Sequence, residues 1–206
     1  MHIRFRAAVV LAAMLLPLVS ACGDSDQGTA ERAGSQTKAD SSGGGTKTDD
    51  EKDAADEPTE DDKPDTELAV GDTFRYTDGV KVTVDRIAKV TAFGEFDDRP
   101  DADETAFRVT WTVENGTSKP VDLDSWGFNP QGATTGGETK FIYVEKGSKQ
   151  MAGRLAPSRS GTYTGEYSLP KADGKEVVVE VARMDDAWMK SDDAFGDEPN
   201  WTGTIK

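Results

Sequence analysis

Apolar and polar residues alternate with a period of two along most of the chain beyond residue 66. Residues 80–84 place valine at every second position, and residues 107–113 alternate Phe, Val, Trp and Val with Arg and Thr. Side chains two positions apart share one face of a β-strand, so each segment predicts a strand with one buried face. Residues 161–169 continue this alternation, and the β-branched run 177–181 predicts a strand that is buried on both faces.

Turn-forming pairs such as Asp78-Gly79 separate these strands from shorter ones, and Asn115-Gly116 predicts a hairpin turn. The alternation of residues 80–84 breaks before Ile87, and a β-bulge at Asp85-Arg86 would restore it. The shorter strand candidates are residues 73–76, 121–123, 126–128, 141–144 and 201–205.

No segment shows the 3.6-residue apolar period of an amphipathic helix, although residues 185–190 could form a single helical turn. Short strands with frequent turns predict an all-β fold, an Ig-like antiparallel sandwich of two sheets over residues 67–206. Trp111 has apolar residues two positions to either side, as the core tryptophan of such a sandwich does. It would pack there without an inter-sheet disulfide, because Cys22 is the only cysteine of the sequence.

The strand and turn pattern resembles that of a known family over residues 68–182. The matching segments are residues 70–73, the strand from Val80, residues 107–117, 119–123, 155–158 and 161–165, and Leu169-Pro170. Together they resemble the Ig-like domain of unknown function 4352, which is found on Gram-positive and actinobacterial lipoproteins. The resemblance implies a telokin-like sandwich related to secreted mycobacterial immunoprotective antigens, and it brings no catalytic residues. Ser158 departs from the family, which often has glycine there, so a different turn is expected at this position.

Residues 1–21 are typical of a secretory leader. Two arginines precede the apolar run 7–19, which is too short for a membrane span of about 20 residues. The end of the leader, residues 18–22, resembles the bacterial lipobox. That resemblance implies cleavage before Cys22 and a diacylglyceryl group on its thiol. An ordinary signal peptide that is cleaved at the same small residues is the alternative.

Residues 22–66 form an acidic segment rich in Gly, Ser and Asp. Residues 23–66 hold fourteen acidic and five basic side chains and contain no Val, Ile, Leu, Met, Phe, Trp or Tyr. A segment that cannot bury apolar surface cannot offset the entropy lost on ordering, so we expect a disordered tether behind the lipidated Cys22. It would act as a spacer. The alternative is an acidic tail that binds cations or a basic partner.

The net charge of −15 argues against a nucleic-acid partner, which would require a basic surface. The only histidine and the only cysteine, His2 and Cys22, lie outside the predicted sandwich. This arrangement excludes a His or Cys metal site and His-assisted nucleophilic catalysis within it, and we expect no cofactor and no enzymatic activity. A small hydrolase built on paired carboxylates is the least favoured alternative, because exposed acidic loops provide neither a cleft nor a raised pKa.

A second acidic cluster lies in the loop that joins the strands at residues 80–84 and 107–113. Carboxylate oxygens in a flexible loop suit Ca²⁺, although this loop lacks the central glycine of an EF-hand. The alternative is a solvated acidic loop. The candidate calcium ligands, flanked by Glu95, are Asp97, Asp98, Asp101, Asp103 and Glu104.

Trp126, Trp188 and Trp201 could form a surface that stacks on sugars or docks a partner, or they could belong to the core. The sequence as a whole predicts a monomeric lipoprotein on the extracellular side of the cell membrane, held there through Cys22. Its body would be a non-catalytic binding or accessory module for a protein or glycan of the cell envelope. A calcium-binding protein and a purely structural or antigenic surface protein are the alternatives.

Overall fold

The computed structural model describes residues 27–34, 66–191, 194 and 196–206. Within these residues the chain forms two β-sheets that share one core, and a small third sheet. The strands in chain order are β1 (Gly28–Glu31), β2 (Glu67–Ala69), β3 (Thr73–Tyr76), β4 (Val80–Lys89), β5 (Glu104–Asn115), β6 (Val121–Asp122), β7 (Trp126–Gly132), β8 (Lys140–Phe141), β9 (Arg154–Leu155), β10 (Ser160–Pro170), β11 (Glu176–Arg183) and β12 (Asn200–Thr204).

Sheet A has the strand order β1-β3-β4-β5-β10-β8, sheet B has the order β2-β12-β11-β7, and β6 pairs with β9. The predicted all-β sandwich is therefore confirmed. One departure from the antiparallel prediction is that β2 runs parallel to β12. The described residues also contain the short 3-10 helices Lys171–Asp173 and Trp188–Lys190, the second within the predicted helical turn. No helix among the described residues is long and apolar enough to cross a membrane.

The core lies between sheets A and B and follows the predicted alternation. Val80, Val82 and Val84 are fully buried, and the register of β4 against β5 shifts between Val84 and Arg86. This shift is the predicted β-bulge. It returns Ile87 to the core face, where only 2% of its surface is exposed.

β11 lies between β12 and β7 in sheet B. Its inward residues Val177, Val179 and Val181 are fully buried, whereas Val178 is half-buried. The prediction that this run is buried on both faces is wrong, because the outer face of sheet B is open to solvent at this strand.

A part of the segment predicted to be a disordered tether forms a strand. β1 pairs antiparallel with β3 over four residues, from Gly28 opposite Tyr76 to Glu31 opposite Thr73. The prediction for residues 22–66 is wrong at this strand. The edge of a sheet offers backbone hydrogen bonds that require no apolar side chain from the added strand. Cys22 and the predicted leader lie outside the described residues.

Two turns differ from their predictions. Asn115 does not form a hairpin turn, because the strands on either side of it, β5 and β6, belong to different sheets. It is buried, and its side-chain amide donates to the carbonyl oxygens of Lys119 and Leu155, both at 2.8 Å. Ser158 has φ 56°, the one non-glycine residue with positive φ among those described. This is the left-handed conformation that glycine adopts most easily, so the serine holds a glycine-type turn and the prediction of a different turn is wrong.

Candidate ligand-binding cleft

The predicted calcium ligands Asp97 and Asp98 bind backbone amides instead of gathering around a common point. The carboxylate of Asp97 accepts hydrogen bonds from Gly94 N at 2.7 Å and Glu145 N at 2.9 Å. That of Asp98 accepts one from Tyr143 N at 2.8 Å. The hydrogen bond from Glu145, then that from Gly94, holds the pKa of Asp97 below its usual value. Both carboxylates therefore fasten the acidic loop to the segment around residues 143–145.

The three remaining candidates lie in different environments. Glu104 is buried and accepts hydrogen bonds from Lys140 Nζ and from Ser168 Oγ, whereas Asp101 and Asp103 are exposed. Among the described residues, no group of three or more His, Cys, Asp or Glu side chains could hold a metal ion. Hydrogen bonds to neighbouring segments therefore hold the acidic loop, and its five candidate carboxylates do not gather into one cluster.

The three tryptophans considered for a docking surface are buried. Trp188 and Trp201 have 2% and 0% of their surface exposed, and the indole N–H of Trp201 donates to Asp72 O at 2.9 Å. Trp126 is 9% exposed. The interpretation of these residues as core is therefore confirmed, although Trp126 also lines a cleft that is open to solvent.

Trp126 also belongs to an aromatic cage around Arg183. The guanidinium carbon of Arg183 lies 4.8 Å from the ring centroid of Trp188, 4.9 Å from that of Tyr76 and 5.3 Å from that of Trp126. The buried guanidinium also donates to Asp185 at 2.6 Å and to Asp78 at 2.8 and 3.0 Å. The cage joins the end of β11 to the turn after β3.

Burial lowers the pKa of Arg183, but the hydrogen bonds to Asp78 and Asp185 outweigh it, so the pKa ends above its usual value. Arg183 therefore remains charged, and its N–H donors already have carboxylate partners. We interpret the cage as a structural clamp that holds Trp126 in place at the edge of sheet B.

A cleft opens where the edge strand β7 of sheet B meets β8 and β10 of sheet A. Its volume is about 230 Å³, and its walls are mainly aromatic. An adjoining depression of about 400 Å³ shares Phe128, Phe141 and Tyr167 with it and adds the polar side chains of Asn129, Gln131, Glu138 and Thr139. The main residues around the cleft are Trp111, Trp126, Phe128, Phe141, Met151 and Tyr167.

The rings of the cleft differ in exposure. Phe141 is 60% exposed at the mouth and meets Tyr167 edge to face, with centroids 6.1 Å apart. Trp111 stacks on Phe128 in the floor. The hydroxyl of Tyr167 donates to Phe128 O at 3.1 Å, which ties the two sheets together beside the cleft. Burial raises the pKa of Tyr167 to about 12, so the hydroxyl keeps its proton at neutral pH.

Two hydrogen-bond donors of the cleft residues have no protein partner. Among the described residues, the buried side-chain polar atoms without a partner are Tyr76 Oη, Trp111 Nε1 and Trp126 Nε1. A buried donor without a partner costs about 1–3 kcal/mol. Both indole nitrogens are shut off from solvent, so they are a cost of this packing and are not presented to a ligand in the cleft.

The sequence interpretation missed Phe141 and Tyr167 as site residues. They come from β8 and β10, which pair with each other so that Tyr167 lies opposite Phe141. The sequence signal was the aromatic residue Phe141, which follows Lys140 in a predicted strand. In the structure Phe141 and Tyr143 of this segment are exposed, and Ile142 between them is buried. That signal does not show which strand lies beside it.

No protein-family model and no curated protein matches the chain. Solved structures do match it. The yjhA protein from Bacillus subtilis aligns with a TM-score of 0.50 and 15% identity over 67% of this chain and 98% of its own. A β-sandwich protein from Clostridium difficile aligns at TM-score 0.38 and 12% identity over 71% of this chain and 99% of its own.

A candidate lipoprotein from Bacillus subtilis, ycdA, aligns with a TM-score of 0.42 and 12% identity over 62% of this chain. The chain spans only 37% of the length of that protein. At these identities the likeness concerns the fold alone.

Proposed function

We propose that this protein is a non-catalytic binding module on the outside of the cell, held there by a lipid on Cys22. The aromatic cleft between β7, β8 and β10 is its ligand site. The observation that carries the proposal is a solvent-open cleft with an exposed aromatic mouth and polar side chains beside it, Gln150 in the cleft and Asn129 and Gln131 in the adjoining depression. Such a combination of apolar surface and a few fixed polar groups is typical of ligand sites.

The ligand that fits best is a neutral glycan of the cell envelope. The apolar face of a sugar ring packs on aromatic rings such as Phe141 and Tyr167, and its hydroxyls accept from amide N–H groups. The exposed amide of Gln150 lies at the cleft and can bond further hydroxyls. No lysine or arginine lines the cleft or the adjoining depression, so an anionic polymer has no matching charge there.

The position of β1 changes the role proposed for the tether. Five residues, 23–27, separate Cys22 from Gly28. A fully extended chain spans at most about 3.6 Å per residue, so a docked β1 would hold the edge of sheet A within about 20 Å of the lipidated cysteine. In this arrangement the anchor positions the sandwich close to the membrane surface and does not lift it by the full length of residues 23–66.

The test is a calorimetric titration of the purified chain with soluble glycan fragments of the envelope. Phe141→Ala should weaken binding about tenfold or more, because it removes the stacking surface at the mouth of the cleft. Tyr143→Ala is the matched control, since Tyr143 is also exposed but does not line the cleft. Equal affinity of both variants, or saturable binding to a protein of the envelope and not to glycan, would contradict the proposed ligand.

A further inference from the structure

Residues 27–34 dock on the body of the protein as a separate peptide would. β1 pairs with the outer edge of β3, and Thr77 N donates to Gln27 O at 3.1 Å at one end of the pairing. Ala33 N donates to the Asp72 carboxylate at 2.7 Å at the other end. Without β1, the backbone groups on this side of β3 would form an open sheet edge.

The body selects particular side chains from this segment. Gln27 is 4% exposed, and its side-chain amide donates to Gly196 O at 2.7 Å. The segment before β12 therefore recognises an amide at this position. Ala30 packs against the shared core. Glu31 accepts from Arg75 Nε at 2.8 Å and from Lys81 Nζ at 3.0 Å.

Gly28 makes the pairing depend on one residue. A Cβ at this position would overlap the carbonyl oxygen of Arg75 and lie 2.9 Å from Cε1 of Phe74. A side chain here would push β1 off the edge of β3. Thr29, the next residue, is exposed and has no such constraint.

We propose that the outer edge of β3 is a strand-binding site and that residues 27–34 of a second copy of this chain enter it in exchange for the chain's own strand. A second copy of this chain is the occupant because the site matches this segment at Gln27, Gly28, Ala30 and Glu31. An exchanged pair makes the same contacts twice. The only covalent link between the strand and its own site is the 31-residue connector 35–65.

The length of the connector sets the balance between one copy and two. Since the contacts are the same in both states, the dissociation constant of the pair approaches the effective concentration of the chain's own strand. For a connector of this length that concentration is on the order of 1 mM. A reciprocal exchange closes as a twofold dimer and leaves no strand edge of this site open.

The first experiment adds a synthetic peptide of residues 24–36 to the chain of residues 23–206. In Gly28→Val the chain's own strand cannot dock, so the site should bind the wild-type peptide. It should not bind a peptide that carries the same substitution. The wild-type chain, whose own strand competes, should bind the peptide more weakly, by about the ratio of the effective concentration of its own strand to the dissociation constant of the peptide. Thr29→Val is the matched control for added volume and should behave as wild type.

The second experiment measures sedimentation of the same chains at rising concentration. About half of the wild-type and Thr29→Val chains should be dimeric near 1 mM, whereas Gly28→Val should remain monomeric. A wild-type chain that stays monomeric over this range overturns the exchange. A folded Gly28→Val chain that fails to bind the peptide overturns the strand-binding site.

Folding of the variant is checked by circular dichroism. If Gly28→Val does not fold, Glu31→Arg takes its place, because it sets a positive charge beside Arg75 and Lys81 without adding volume inside the pairing. The same two outcomes, loss of the dimer and gain of peptide binding, are then required of Glu31→Arg, and their absence overturns the proposal.

Discussion

Trp111 and Phe128 stack across the sandwich with their ring centroids 3.9 Å apart and their planes 13° from parallel. Trp111 belongs to β5 of sheet A and Phe128 to β7 of sheet B, so this contact joins the two layers. The same two rings form the floor of the cleft. The core and the proposed ligand site therefore share residues, and substitutions must be placed at the mouth of the cleft to separate binding from stability.

Trp111→Ala should lower the free energy of unfolding by about 3–5 kcal/mol, because it removes a side chain that is 4% exposed and leaves a cavity beside Phe128. Urea unfolding followed by circular dichroism measures the change. Phe141→Ala, at an exposed ring of the same cleft, should cost less than about 1 kcal/mol. A loss near zero at Trp111 would contradict its place in the core.

Arg183→Met should destabilise the protein by about 3–5 kcal/mol, because Asp185 would keep a buried charge without its partner. A second variant, Arg183→Met with Asp185→Asn, removes that charge and should recover part of the loss. Urea unfolding of wild type and both variants gives the comparison. If the double variant is no more stable than Arg183→Met, the charge of Asp185 is not the cause of the loss.

Docking of β1 should weaken in acid. Hydrogen bonds from Arg75, then Lys81, hold the pKa of Glu31 below its ordinary value of 4.5. A lowered pKa in the docked state means that the contribution of Glu31 is fully present above pH 4.5 and is lost as the pH falls through the lower value. NMR shifts of the β1 amides should therefore move toward those of the undocked strand in this range.

Glu31→Gln is the control for that titration, because an amide takes up no proton in the pH range in which Glu31 titrates. Its β1 amide shifts should show no transition that follows the lowered pKa of Glu31. A transition of the same size and midpoint in wild type and Glu31→Gln would assign it to another carboxylate.

Calcium should not stabilise the protein beyond the effect of ionic strength. The carboxylates of Asp97 and Asp98 already accept backbone hydrogen bonds, and the acidic side chains of the described residues do not form a group that could hold a metal ion. Melting temperatures in CaCl₂ and in NaCl of matched ionic strength should agree. Saturable stabilisation by sub-millimolar Ca²⁺ that is lost in Asp101→Asn with Asp103→Asn would show that the loop binds the ion after all.

Lipidation of Cys22 should decide where the protein partitions. Wild type expressed with its leader should enter the detergent phase on phase separation, because two acyl chains bury enough methylene groups to anchor a protein. Cys22→Ser should remain in the aqueous phase. If both proteins stay in the aqueous phase, the proposed anchor is wrong and the segment before residue 22 is an ordinary signal peptide.

The sequence by itself determined the class of fold and the inward face of most strands, because alternation is a local property that any half-buried strand must show. The buried valines of β4, the bulge before Ile87 and the central place of Trp111 all follow from spacing along one strand. These features require no knowledge of which strands are neighbours.

Only the tertiary structure decided the cleft, because Trp126 and Tyr167 meet through the packing of two sheets whose order the alternation does not contain. Only the structure showed that the carboxylates of the acidic loop bind backbone amides, since a carboxylate that caps a loop and one that holds a metal look alike in sequence. The sequence pattern did not predict β1 for a related reason. This strand adds to a sheet through backbone hydrogen bonds, and its composition, with Gly28 required and no large apolar residue, is that of a segment without a core.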